Sequence, residues 1–155
     1  MADIMEKKEV VVVLPYVDGK ILMQLRDFNP GISFPGQWGF WGGSIENGER
    51  PKEAAGRELF EEISYKTEVL YEIDTEMLPN SDDVIIHSFF CFLKIPVELL
   101  ILNEGMDMGL FSIEEVLSKM LYSKEMKNKF PIVPTGIIET TIKKLCVCLK
   151  KMKQL

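Results

Sequence analysis

GSIENGERPKEAAGRELFEEISY, residues Gly43 to Tyr65, is the stretch from which the rest of this 155-residue chain can be read. Its second half, Pro51 to Ile63, is made almost entirely of good helix formers, and proline suits the first helical turn, where its missing N–H is not needed. At about 100° per residue, Glu58, Glu61 and Glu62 fall within an arc of roughly 100°. Gly56, Leu59, Phe60 and Ile63 are expected on the opposite side, packed against a sheet, with the acidic face turned away from the core. A solvated charged face would normally interleave Lys or Arg at i+4 spacing, whereas here Glu58 meets Glu62. That like-charge pair costs stability unless a cation lies between the two, and hard carboxylate oxygens suit magnesium or manganese. Ala54 and Ala55, one turn earlier, are expected to leave room above the carboxylates for a hydrated ion and a phosphate.

Outward from this helix, the chain reads as one domain, 1–155, without repeats or linkers. Glu9 to Val17 and Lys20 to Leu25 are strand-like runs separated by Asp18-Gly19, a pair that tolerates positive φ and suits a tight hairpin. Asp27 to Gln37, rich in Pro and Gly, predicts a long loop, and loops of that length in compact domains tend to be functional rims. Trp38 to Trp41 reads as a short aromatic strand. Val69 to Ile73, Val84 to Ile95 and Leu99 to Leu102 are further strand candidates. Ser112 with Glu115 forms a capping-box pattern opening a helix to about Met120. Thr135 to Met152 predicts a last helix, with Ile137, Ile138, Ile142, Leu145 and Leu149 on its apolar side.

A formal charge of -6 argues against a surface built to grip extended nucleic acid, since backbone binding needs clustered Lys and Arg. A small anionic ligand is compatible with that charge if metal neutralises it. Cys91, Cys146 and Cys148 show no zinc-ligand spacing, so reduced, structural thiols are expected. The start, MADIMEKKEV, lacks the features of a signal peptide, and no apolar run approaches membrane-spanning length. A soluble, cytoplasmic protein with no membrane partner is the expectation.

The 43–65 segment resembles the Nudix box, the signature of the Nudix hydrolase family. Gly43, Glu49, Arg57, Glu58, Leu59, Glu61, Glu62 and Tyr65 stand at the family's spacings. Ser64 stands where the family has Gly, just after the helix, where a left-handed backbone is often needed and costs a non-Gly residue roughly 1 to 2 kcal/mol. The resemblance implies an α/β (α+β) fold, with a mixed β-sheet in a three-layer α/β/α sandwich. It implies hydrolysis of a diphosphate bond in a nucleoside diphosphate linked to another moiety, such as a nucleoside triphosphate or a nucleotide sugar, by metal-activated water. Glu58, Glu61 and Glu62 would ligate Mg2+ or Mn2+, with the Gly43 carbonyl a further ligand, while Glu49 and Arg57 would pair to orient the helix. Family members often carry one more carboxylate in a later loop; Glu104, in NEGMDMGLFS, is the first choice and Asp107 its rival. Glu61 and Glu104 both stand as candidates for the general base. Homodimers are common among relatives and compatible with this chain.

Other residues near these elements are weighed more simply. Arg26, ending the second strand beside the long loop, could approach a substrate phosphate, although an exposed strand-end cation is the plainer reading. Trp38 could turn its ring toward a bound base, although core packing is the commoner role for such residues. His87, the only histidine, reads as a strand-surface or pocket-edge residue with no catalytic role. Thr135 falls where some sanitising relatives carry an Asn that reads oxidised guanine, which weakens that substrate assignment. A Nudix-fold module that binds nucleotide without cutting it is the alternative, disfavoured because a binder has no need of three mutually repelling glutamates. An isopentenyl-diphosphate-isomerase-like relative is disfavoured by the complete box and the lack of a catalytic Cys/His arrangement.

Overall fold

The computed structural model describes residues 7–78, 83–134 and 136–153. β1 (Lys8–Val17) and β2 (Lys20–Leu25) form the opening hairpin, with Tyr16 opposite Ile21. Its turn is Asp18-Gly19 with φ of 48° and 77°, the two positive values that a tight hairpin requires. On its other edge β1 lies parallel to β6 (Val84–Phe92), from Lys8 opposite Val84 to Tyr16 opposite Phe92. The remaining pairings of the sheet are antiparallel. β3 (Trp38–Gly39) pairs the end of β2, β4 (Trp41–Ser44) pairs Val10 to Val13, β5 (Tyr71–Met77) covers β6, and β7 (Asp107–Ser112) runs along all of β2. The sheet is therefore mixed, as the family pattern implies.

Alternation along the central strands divides the core in two. Val11, Val13 and Leu22 point to one face, where they bury Ala54, Ala55, Leu59 and Ile63 of α1 (Pro51–Ile63). Leu14, Tyr16, Ile21, Met23 and Leu25 point to the other, against Ile137, Ile138, Ile142, Leu145 and Leu149 of α3 (Ile137–Lys151). A sheet apolar on both faces must be covered twice, and the result is the three-layer α/β/α sandwich. Between β7 and α3 the chain forms α2 (Ile113–Leu117) and a separate hairpin of β8 (Met120–Ser123) and β9 (Asn128–Pro131). No helix among the described residues is long and apolar enough to cross a membrane.

Several expectations are corrected. Leu99 to Leu102 is not a strand: Val97–Leu99 is a single 3-10 turn. The N–H groups of Ile101 and Asn103 donate to the carbonyls of Ile63 and Glu62, satisfying the end of α1 instead of a sheet ladder. The helix after Ser112 stops at Leu117, and β7, β8 and β9 occupy stretches read as loop or helix. Trp38 to Trp41 is split into two short strands at Phe40. On α1, Phe60 is 54% exposed, while Ala54 and Ala55 are fully buried in the core with Leu59 and Ile63 and do not flank the carboxylates at the surface. Glu62, expected to face away from the core, is only 3% exposed.

Candidate active site

The site begins at Gly42-Gly43 on β4, which lies between β1 and α1. At Gly42 φ is 146°, and a Cβ there would sit 1.9 Å from the Val11 carbonyl oxygen. At Gly43 a Cβ would sit 2.4 Å from Oε1 of Glu58. Only glycine lets the strand pass this close to both β1 and the acidic side of the helix. Glu58 thereby rests its carboxylate directly on the Gly43 backbone, and the Glu62 carboxylate accepts long hydrogen bonds, 3.3 and 3.4 Å, from the Gly42 N–H.

Arg57 is the hub of the outer half. Its Nε and Nη2 donate to Glu49 at 2.8 and 2.9 Å, and Nη2 also reaches the Ser44 carbonyl at 3.0 Å. Nη1 donates to Glu58 at 3.0 Å and to Glu61 at 3.3 Å. The Glu49–Arg57 pair thus ties the loop before the helix to the helix itself. The Arg57 guanidinium holds Glu49 down to about 2, and Glu49 in return holds Arg57 firmly protonated. Glu61 is 55% exposed at the solvent side of this network.

The inner half is electrostatically different. Burial, then the negative charge of Glu104, then that of Glu58 push Glu62 up to about 9, against the Gly42 N–H and the charge of Arg26. Burial raises Glu58 as well, opposed by Arg57 and reinforced by Glu61 and Glu104. Glu104 therefore faces both helix carboxylates from a loop more than forty residues away in sequence. Asp107, its rival, is committed elsewhere: its carboxylate accepts from the Ser123 hydroxyl at 2.6 Å and from the Glu125 N–H at 3.4 Å, bracing the β8–β9 turn. Glu115 completes the capping box with Ser112.

Glu58 and Glu104 open onto a cleft of about 450 Å³. Glu58, Glu104, Arg26 and the Gly42-Gly43 backbone line its polar end; Phe34, Phe40, Ile86, Val133, Ile137 and Ile138 line much of the rest. Arg26 is braced there by its Nε donating to the Ser33 carbonyl at 2.6 Å. Trp38 is not part of this wall. It is fully buried, its Nε1 donates to the Leu121 carbonyl at 3.0 Å, and its ring meets Phe111 edge-on, so it is unavailable to a ligand. Phe34 and Phe40 supply the aromatic surface instead. Phe34 sits in the long loop already marked as a rim, but its backbone φ of 51° carries no sequence signature that would single it out. His87 bonds Glu9 and Thr75 on the sheet surface, away from the cleft. Thr135 lies outside the described residues.

Among the described residues no three Asp, Glu, His or Cys side chains converge at metal-ligand distance. In this arrangement the Arg57 guanidinium bridges Glu58 and Glu61, as a cation would. The donor set nonetheless fits a hard divalent ion. Glu62 is a buried carboxylate with like charges on two sides and one weak N–H partner, which is unfavourable until positive charge joins it.

Comparison with known proteins follows the same lines. A family model described as NUDIX domain matches residues 5–134. Nucleoside triphosphatase NudI of Escherichia coli is 41% identical over 82 residues, 52% of this chain and 54% of that protein. The match thus spans about half the length of the curated relatives. The solution structure of the E. coli ORF135 protein superposes with a TM-score of 0.65 at 25% identity, covering 94% of this chain and 92% of that one. The NUDIX domain of Shewanella oneidensis NrtR, solved with ADP ribose, gives a TM-score of 0.66 at 16% identity over 96% and 90% of the two chains. With the box, the sandwich and the family model in agreement over most of its length, the chain belongs to the Nudix family.

Proposed function

We propose that this chain is a hydrolase of nucleoside diphosphate derivatives, working as a single domain with Mg2+ or Mn2+. The observation that carries the reading is that Glu58 and Glu104 line, beside Gly42-Gly43, the polar end of a cleft whose remainder is apolar and partly aromatic, with the Glu62 carboxylate buried against the Gly42 N–H. Such a cleft suits a ligand that is ionic at one end and flat and apolar at the other, which describes a nucleotide.

In this reading Glu58, Glu61, Glu62 and the Gly43 carbonyl would hold the metal, which would supply charge neutralisation and a more acidic water. Each of the chain's own groups then has a task. Glu104 or Glu61 accepts the proton from the attacking water; Glu104 has the better position, facing the cleft, while Glu61 faces solvent. Arg57, held by Glu49, fixes the helix relative to the glycine strand. For Glu58 and Glu61 to take a metal, the Arg57 Nη1 contact must loosen, leaving its Glu49 contacts as the anchor. Arg26 offers its charge to a phosphate, and Phe34 and Phe40 offer rings to the base. Sequence similarity to a nucleoside triphosphatase supports a triphosphate as the first substrate to try.

The test is a metal-dependent hydrolysis panel of nucleoside triphosphates, nucleotide sugars and dinucleoside polyphosphates, with the products identified. Turnover that requires Mg2+ or Mn2+ and falls by about a hundredfold or more in Glu58→Gln is expected. A binding-only role is the second reading, supported by the NrtR domain solved with ADP ribose. Tight nucleotide binding without turnover across the panel would replace the hydrolase reading with that one.

A further inference from the structure

We infer that Gln24, Asn103 and Ser64 are positioning residues that aim Glu104 into the cleft, an inference resting on the proposal that Glu104 acts there. Among the described residues the Glu104 carboxylate accepts no hydrogen bond, so its place is fixed through its backbone. Four hydrogen bonds hold the loop around it. From the sheet, Gln24 donates through Nε2 to the Glu104 carbonyl at 3.0 Å, and the Met106 N–H donates to the Leu25 carbonyl at 2.8 Å. From the helix, the Glu62 carbonyl accepts from the Asn103 N–H at 2.8 Å. The fourth is between side chains: Asn103 Nδ2 donates to the Ser64 hydroxyl at 2.9 Å.

Each tie is chemically specific. Gln24 is 3% exposed on a strand paired on both edges, by Gly39 and by Met108, so its amide has little freedom to swing away. A buried amide is costly unless bonded, and this one is directed at the loop that presents Glu104. Gly105 turns the chain at φ of 100°, where a Cβ would lie 2.8 Å from the Leu25 carbonyl oxygen and 3.2 Å from Gln24 Nε2. Ser64 is the one residue of the box that departs from the family pattern. It holds the left-handed position at the helix exit, φ 55° and ψ 32°, and its hydroxyl serves as an acceptor that glycine would lack. Because Glu62 and Ser64 belong to or cap the helix that carries Glu58, the loop and the helix carboxylates are held as one unit.

The experiment is a set of double-mutant cycles in the full chain. Gln24→Met and Asn103→Ala are made alone and with Glu104→Gln. Each is assayed for turnover of the best panel substrate, for Mn2+ affinity by electron paramagnetic resonance with manganese alone, and for thermal melting. Each single change is expected to lower kcat by roughly five- to twentyfold with KM within about twofold, and to weaken Mn2+ binding by about threefold, and to add nothing further once Glu104 is Gln. Losses that multiply in the Glu104→Gln background would show that Gln24 and Asn103 act on the fold at large, and would overturn the inference while leaving the role of Glu104 intact. Wild-type turnover and Mn2+ affinity in Glu104→Gln itself would remove that role and the inference with it. If Gln24→Met melts too low to assay, Ser64→Ala removes one acceptor from the exposed side and must show the same non-additivity. If no panel compound is turned over, the Mn2+ cycle decides alone.

Discussion

Replacing Glu62 by Gln separates the cost of the site from its use. The wild-type carboxylate is 3% exposed and pushed up to about 9 by burial, Glu104 and Glu58. An unfolded glutamate titrates near 4.5, so over the interval between these values the unfolded chain releases the proton while the metal-free folded chain keeps it. Fewer protons are then bound by the unfolded state, and stability falls as pH rises. Below the lower value no penalty exists; above the upper one it is complete. At neutral pH about 2.5 pH units of that interval have been crossed, which at roughly 1.4 kcal/mol per unit is about 3 kcal/mol. Glutamine keeps the shape and cannot ionise. In the presence of EDTA, urea unfolding near pH 7 should therefore find Glu62→Gln more stable than wild type by about 3 kcal/mol, or roughly 6 to 12 °C in Tm for a chain of this size. Adding saturating Mg2+ should stabilise the wild type, and the gain should grow with pH, because binding a cation releases the Glu62 proton. The variant should gain little. Equal pH slopes for the two proteins in EDTA would refute the reasoning, since a site without trapped like charge has nothing to relieve.

Three other changes probe neighbouring features. Gly43→Ala places a methyl group 2.4 Å from Glu58 Oε1 and should cut turnover by about tenfold or more with a small loss of Tm, whereas Gly42→Ala meets the Val11 carbonyl oxygen at 1.9 Å and should destabilise the fold by several kcal/mol in urea titrations, on the order of the larger core defects. Trp38→Phe loses the bond to the Leu121 carbonyl and part of a buried ring, so roughly 1 to 3 kcal/mol of stability should go while KM stays unchanged; a raised KM would return Trp38 to the substrate wall. Burial pushes the Cys91 thiol up to about 12, so under native conditions a thiol reagent should modify Cys146 and Cys148 while sparing Cys91 until the protein unfolds, as peptide mapping will show.

The parts of the fold legible in the sequence are those whose signal is local. The α1 boundaries, the Asp18-Gly19 turn and the Ser112–Glu115 capping box each depend on residues within a few positions of one another, and each is found where the spacing puts it. Helical periodicity placed Glu58, Glu61 and Glu62 on one arc, but an arc does not say where the core ends. The seam runs through the arc, burying Glu62 beside Leu59 and Ile63 and leaving Glu61 in water. That asymmetry comes from how closely β4 approaches α1, which two glycines permit and no helical pattern reports. Strand β7 was illegible for a related reason: DMGLFS has no clean alternation and becomes a strand because β2 offers it a full edge of hydrogen-bonding partners.

Distance along the chain sets the same limit at the site. The look of its loop singles out Glu104, yet what aims it is Gln24, eighty residues earlier in a strand whose sequence, KILMQL, gives no reason to treat a single amide as anything but a partly buried polar residue. The loop also takes the shape it does because the last carbonyls of α1 need donors, and the N–H groups of Ile101 and Asn103 supply them. A run such as Leu99 to Leu102, strand-like by composition, is thus diverted from the sheet by the unsatisfied end of a helix, and that diversion brings Glu104 to the cleft that Glu58 lines. The helix therefore acts on the site twice, through the carboxylates on its face and through the backbone groups at its end.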